Sequence, residues 1–84
     1  MLSVGPSGIV AVASDDAVQI HFNQSFGNVN VSLYNNNGYL VYNNMVDTSI
    51  QHTVIISIAN AASGTYTLVL NNATDYAEGK FDHK

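Results

Sequence analysis

His52-Thr-Val-Ile-Ile-Ser-Ile58 is followed, after a short loop that ends in Ser63-Gly64, by Thr65-Tyr-Thr-Leu-Val-Leu-Asn71. In both runs every second residue is a large apolar one. An alternation with a period of two predicts a β-strand that buries one face, so the segment predicts two such strands. A tyrosine lies near the start of the second strand. This segment indicates an all-β fold.

Similar alternating runs recur along the rest of the chain, at 8–13, 17–22, 28–34, 39–46 and 76–83. About seven short strands with turns roughly every 8 to 12 residues favour an immunoglobulin-like or fibronectin type III-like β-sandwich of antiparallel strands. Residues 1–7 include Gly5-Pro6-Ser7 and are predicted to be a flexible leader. Residues 8–84 are predicted to form a single domain.

The alternation also selects the core and the structural turns. The predicted core consists of Val18, Ile20, Phe22, Val29, Val31, Leu33, Val54, Ile56, Ile58, Tyr66, Leu68 and Phe81. Asn35-Asn36-Asn37-Gly38 predicts a hairpin, because Asn-Gly is favoured where the backbone needs positive φ at both residues. Gly64 is expected to shape the turn before its strand. Tyr66 is expected to act as a tyrosine corner, with its hydroxyl bonded to nearby backbone.

Composition excludes several classes of partner. The 84 residues carry a net charge of −4 with only two basic residues, Lys80 and Lys84, so nucleic-acid binding and docking to an anionic membrane surface are not expected. No run approaches the roughly 20 apolar residues of a membrane-spanning helix. A neutral polar surface rich in Asn, Ser and Thr, without cysteine, fits an extracytoplasmic bacterial protein whose signal peptide has been removed.

No catalytic or metal-binding pattern stands out. His21, His52 and His83 fall on three separate predicted strands without ligand spacing and are expected to be solvent-exposed. Four acids lie in predicted turns or connections, where Asp accepts hydrogen bonds from its own backbone: Asp15, Asp16, Asp47 and Asp75. A weak Ca²⁺ site among such acids is the alternative. Without a nucleophile motif, neither enzyme activity nor a cofactor is expected.

Two surfaces are candidates for interactions. Aromatic rings beside amide groups suit protein or glycan contacts, and the candidate binding face consists of Tyr34, Tyr39, Tyr42, Asn30 and Asn43, with Tyr34 and Tyr42 on the outer face. The alternative is that these side chains pair across the strands to stabilise the hairpin. The strand at 8–13 is short, apolar and almost uncharged, which predicts edge-strand self-association.

The chain resembles a known family in the stretch Val29-Asn-Val-Ser-Leu-Tyr-Asn-Asn-Asn-Gly38-Tyr-Leu-Val-Tyr42, in Val54-Ile-Ile-Ser-Ile58 and in Ser63-Gly-Thr-Tyr-Thr-Leu-Val-Leu70. These segments are similar to the small exported sandwich modules of Bacteroidetes called domain of unknown function 3244. They are also similar in part to the C-terminal sorting domains of type IX secretion. The resemblance spans roughly residues 17–81. It implies an immunoglobulin-like sandwich, export, and no catalytic residues to carry over.

The resulting hypothesis is a non-catalytic exported β-sandwich module of the cell envelope, adhesion-like, that binds protein or glycan or has a structural role. One alternative is a C-terminal secretion, sorting or anchoring domain. Another is a small metal-dependent domain or enzyme, which would require the three histidines to converge in space.

Overall fold

The computed structural model describes residues 8–84 and contains seven β-strands in that range. They are β1 Ile9–Ala13, β2 Ala17–Phe22, β3 Asn28–Tyr34, β4 Leu40–Asp47, β5 Thr53–Ser57, β6 Gly64–Asn71 and β7 Tyr76–His83. The described residues form no helix. The predicted leader, residues 1–7, lies outside the described range.

The strands form two antiparallel sheets. The three-stranded sheet has the order β1-β2-β5, and the four-stranded sheet has the order β4-β3-β6-β7. The fourth strand pairs with β3, whereas in a constant-type immunoglobulin domain it belongs to the other sheet. The arrangement is therefore an immunoglobulin-like sandwich with the strand order of a fibronectin type III domain, and the predicted fold class is confirmed.

The strands that flank the Ser63-Gly64 loop belong to different sheets. β5 pairs with β2, while β6 pairs with β3 and β7. The loop therefore crosses from one layer of the sandwich to the other, and the two strands do not form a hairpin. The inward residues of both strands meet in the core between the sheets.

The core matches the predicted one closely. All of the predicted core residues are buried except Phe81, which is half-buried and packs against the core. Five buried hydrophobic residues were not predicted: Ile9, Ala11, Val46, Leu70 and Ala77. His83, expected on the surface, is only 7% exposed, and its ring packs edge-on against Tyr66 with the centroids 6.0 Å apart. That expectation was wrong because His83 follows the inward Phe81 by two positions and closes the same end of the core.

The hairpin between β3 and β4 is present but uses a different turn from the predicted one. No described residue other than glycine has positive φ, so only Gly38, at +81°, adopts the left-handed conformation. The Asn35 carbonyl accepts a bond from the Gly38 N–H, and the Asn35 N–H donates to the Tyr39 carbonyl. This is a three-residue loop, a type I turn followed by a left-handed glycine, which requires positive φ at one position only.

A β-bulge lies directly after this turn and changes which side chains face the core. Tyr34 pairs with Leu40, but Leu33 pairs with Tyr42, so Val41 is an extra residue on β4. Opposed residues of an antiparallel pair share a face, so Tyr42 lies on the inner face with Leu33. The expectation that Tyr42 lies on the outer face was therefore wrong, since one extra residue reverses every later side chain of the strand.

Candidate binding face

The outer face of the four-stranded sheet is the side that points away from the core. Its side chains follow from the strand register. They include Asn30, Ser32 and Tyr34 on β3; Asn43 and Met45 on β4; Thr67, Val69 and Asn71 on β6; and Tyr76, Glu78 and Lys80 on β7. Alternation along each strand produces this face, because the intervening residues are the ones that build the core.

An amide cluster occupies the β4–β3–β6 part of the outer face. The Asn43 side-chain N–H₂ donates to the Asn30 side-chain oxygen and to the Ser32 hydroxyl, both at 2.9 Å. Asn30 in turn donates to the Asn71 side-chain oxygen at 3.5 Å. The structure thus brings together two of the predicted site residues, Asn30 and Asn43. The cluster is uncharged, and each primary amide offers two donors and one acceptor oxygen, so groups remain for a ligand.

Tyr34 and Tyr76 supply the aromatic part of the same face. Tyr76 is 63% exposed, and its hydroxyl donates to the Glu78 carboxylate at 2.9 Å. That hydrogen bond, with some desolvation and the negative charges that Glu78 and Tyr34 can carry, raises the pKa of Tyr76 above its ordinary value. The Tyr76 hydroxyl thus stays protonated to higher pH and donates to Glu78, while the ring remains exposed. The sequence pattern did not indicate Tyr76 as a binding residue, because it only marks Tyr76 as the start of the last strand.

The other two predicted tyrosines lie elsewhere. Tyr39 is in the β3–β4 turn and is 69% exposed. Tyr42 packs against the core and lines a cleft of about 300 Å³ between the two sheets. The cleft is further lined by Leu33, Ile56, Ile58, Ala61 and Tyr66, among others. Of the five predicted binding residues, three therefore share the outer face: Asn30, Tyr34 and Asn43.

Tyr66 and Gly64 hold the loop that closes one end of this cleft. The Tyr66 hydroxyl donates to the Ala62 carbonyl at 2.6 Å, the backbone bond expected of a tyrosine corner. The Tyr66 ring also stacks on Phe81, with the centroids 5.8 Å apart. Gly64 has φ +149°, and a Cβ there would lie 3.3 Å from the Asn36 Cβ. Glycine thus lets this loop approach the β3–β4 turn closely.

The acids and histidines do not converge. Within residues 8–84, no group of three or more His, Asp or Glu side chains could hold a metal ion. Asp47 accepts bonds from the Ser49 hydroxyl and N–H, which lower the pKa of the Asp47 carboxyl. In the other two acidic turns the side chains that accept backbone N–H bonds are Ser14 and Asn72, not the predicted Asp residues. Asp75 accepts instead from the Thr74 hydroxyl.

Polar groups also connect the loops at the opposite end of the sandwich. Thr48 is fully buried; its hydroxyl donates to the Gly27 carbonyl at 2.8 Å and accepts from the Phe26 N–H at 2.7 Å. This bond pair joins the β2–β3 and β4–β5 connections.

No helix in the described part of the chain is long and apolar enough to cross a membrane.

Comparison with known proteins agrees with this architecture. One solved structure that the chain resembles is a domain of unknown function 3244 (DUF3244) family protein from Bacteroides vulgatus, described as an immunoglobulin-like β-sandwich. The TM-score is 0.88 at 16% sequence identity, and the match covers 99% of this chain and 96% of that chain. The search of curated proteins gave no match.

The fold and its exposed polar sheet define this protein as an immunoglobulin-like β-sandwich module. The sequence model of one family, described as "Domain of unknown function (DUF3244)", matches residues 3–83. The chain therefore belongs to the DUF3244 family, and the resemblance in the sequence is confirmed.

Proposed function

We propose that this protein is a non-catalytic exported module of the bacterial cell envelope that binds glycans through the outer face of its four-stranded sheet. The observation that carries the proposal is the exposed Tyr76 ring, whose hydroxyl donates to Glu78, on the same sheet face as the amide cluster. A sugar ring has an apolar C–H face and a rim of hydroxyls. Aromatic rings suit the first, and amides that donate and accept suit the second.

The neutral polar surface of the chain, rich in Asn, Ser and Thr, supports an extracytoplasmic location, and the lack of cysteine is compatible with it. The similar structure comes from a Bacteroides species, which fits a bacterial envelope protein. Fractionation of the native cells tests the location: recovery of the protein with the periplasm or the cell surface is expected, and recovery in the cytoplasm would contradict export.

The binding proposal is tested by screening the purified protein on a glycan array, followed by titration of the best ligand. Tyr76→Ala and Asn43→Ala are expected to weaken binding by about tenfold or more, a loss of about 1.4 kcal/mol. Tyr39→Ala is the matched control, since Tyr39 is equally exposed but lies in the turn, outside the outer face. An array on which no glycan binds above background contradicts the glycan assignment. Loss of binding in Tyr39→Ala alone would place the site at the turn.

A further inference from the structure

The residues of the outer face lie in rows that run across the strands, because opposed residues of paired strands stand side by side on one face. Asn30 of β3 opposes both Met45 of β4 and Asn71 of β6. Asn71 in turn opposes Tyr76 of β7. One row therefore crosses all four strands of the sheet, in the order Met45, Asn30, Asn71 and Tyr76. Its side chains are an uncharged thioether, two amides and a phenol.

This row is longer than a single sugar ring. Neighbouring strands lie about 4.8 Å apart, so the three steps from Tyr76 on β7 to Met45 on β4 span about 14 Å. Asn43, which donates to Asn30 and Ser32 in the amide cluster, is also on β4 and therefore equally far across the sheet from Tyr76. One sugar ring is similar in size to the tyrosine ring on which it would stack. It can contact Tyr76 and the neighbouring β6 residue, but it cannot reach β4 at the same time.

The charges of this face lie in the other direction, along a strand. Glu78, Lys80 and Asp82 occupy every second position of β7 after its first residue. A neutral chain that ran lengthwise on β7 would remove water from these charged groups, which is costly. The row across the strands presents amides at its two middle positions, and an amide both donates and accepts hydrogen bonds, as sugar hydroxyls do. The row therefore suits an uncharged sugar chain better than the length of β7 does.

We infer that the outer face takes a linear, neutral oligosaccharide that lies across the four strands, with one sugar unit on Tyr76 and another at the amide cluster on β4. The inference rests on the proposed function, since it states which glycans fit that same face. A monosaccharide, or the single terminal sugar of a branched glycan, would reach only the β7 end of the row. Affinity is therefore expected to increase with chain length until the chain spans the row, and longer chains gain nothing further.

The experiment is an NMR titration of the purified protein with linear sugars of increasing length, from the monosaccharide to the hexasaccharide, built from glucose, mannose or N-acetylglucosamine. In the series that binds, the affinity is expected to rise by about tenfold or more with length and then to level off. A monosaccharide that binds as tightly as the longest chain would overturn the inference and leave the proposed function in place. Failure of every member of every series to bind would instead contradict the proposed function, and the inference with it.

Variants at the two ends of the row give a sharper test. Tyr76→Ala is expected to weaken the binding of every chain length, because Tyr76 contacts the first sugar unit. Asn43→Ala is expected to weaken the binding of long chains by about tenfold, and that of the monosaccharide by less than about twofold. Met45→Ala, also on β4, is expected to show the same length dependence, and it removes no hydrogen bond of the amide cluster.

The length dependence separates a sugar contact from a structural effect, since a variant that only disturbs the sheet would weaken all chain lengths alike. Asp82→Ala is the matched control, because Asp82 lies on β7 like Tyr76 but about 20 Å along the strand. It is expected to leave the affinity unchanged, and circular dichroism checks that all variants are folded. Equal weakening of short and long chains by the two β4 variants would overturn the inference. Loss of long-chain binding in Asp82→Ala but not in the β4 variants would also overturn it, because the chain would then run along β7.

Discussion

The two faces of the four-stranded sheet are built from the same strands but differ in what holds their side chains. On the inner face, Leu33 and Leu68 oppose each other and are almost completely buried. On the outer face, the neighbouring pair is Ser32 and Val69, beside an amide cluster whose members bond mostly to one another. The inner face stabilises the fold through burial, whereas the outer face presents hydrogen-bonded polar side chains, among which Ser32 is buried beneath Asn43.

The largest expected effect separates the two faces at adjacent residues. Leu68→Ala removes a side chain with no exposed surface and should lower the free energy of unfolding by about 2–5 kcal/mol. Val69→Ala, one position along β6 on the outer face, should cost about 1 kcal/mol or less. Urea unfolding of both variants makes the comparison. Equal losses would show that the two faces contribute alike to stability.

Tyr66→Phe tests a smaller contribution on the inner face. The substitution keeps the ring against Phe81 but removes the hydroxyl that donates to the Ala62 carbonyl. A loss of about 1 kcal/mol in the free energy of unfolding is expected. Tyr39→Phe is the control, because Tyr39 is exposed in a turn. An unchanged unfolding midpoint in Tyr66→Phe would show that the tyrosine corner contributes nothing measurable.

The smallest effect concerns protonation on the outer face. Glu78→Ala removes the acceptor and the negative charge that raise the pKa of Tyr76, so the Tyr76 pKa should fall toward its ordinary value. NMR titration of the tyrosine ring signals at alkaline pH measures it. Because the folded pKa is raised, this contact stabilises the protein below the unfolded pKa, and its contribution is lost as pH rises through the folded pKa.

Asp82→Ala is the control for that titration, since Asp82 lies on the same strand but accepts its hydrogen bond from Thr65. A Tyr76 pKa that is the same in the wild type and in Glu78→Ala would show that the two side chains are not bonded in solution.

The sequence specified the strands well, because alternation with a period of two is a local property. The predicted bounds of the β2, β3 and β7 segments agree with the structure, and the predicted core is buried apart from the half-buried Phe81. Strand partners are not local in this way. The alternation in β5 and β6 shows that each buries one face, but it does not show that the two strands belong to different sheets.

The candidate face was predicted only in part, and one residue, Val41, explains the misplacement of Tyr42. If β4 had no bulge, the strand pairs that follow Tyr34–Leu40 would place Tyr42 opposite Ser32, on the outer face. The extra residue Val41 moves Tyr42 opposite Leu33 and puts Asn43 opposite Ser32. A bulge has no reliable sequence signal, so the sequence could name Asn30 and Asn43 together but could not show that Asn43 lies opposite Ser32.

The central claim is that the outer face binds a glycan, whereas the inner face stabilises the fold. Its most direct test measures the glycan affinity and the free energy of unfolding of Tyr76→Ala in one preparation. The expected result is binding weakened by about tenfold or more with an unfolding free energy within about 0.5 kcal/mol of the wild type, as for an exposed side chain. Unchanged affinity in a fully folded Tyr76→Ala protein would contradict the claim.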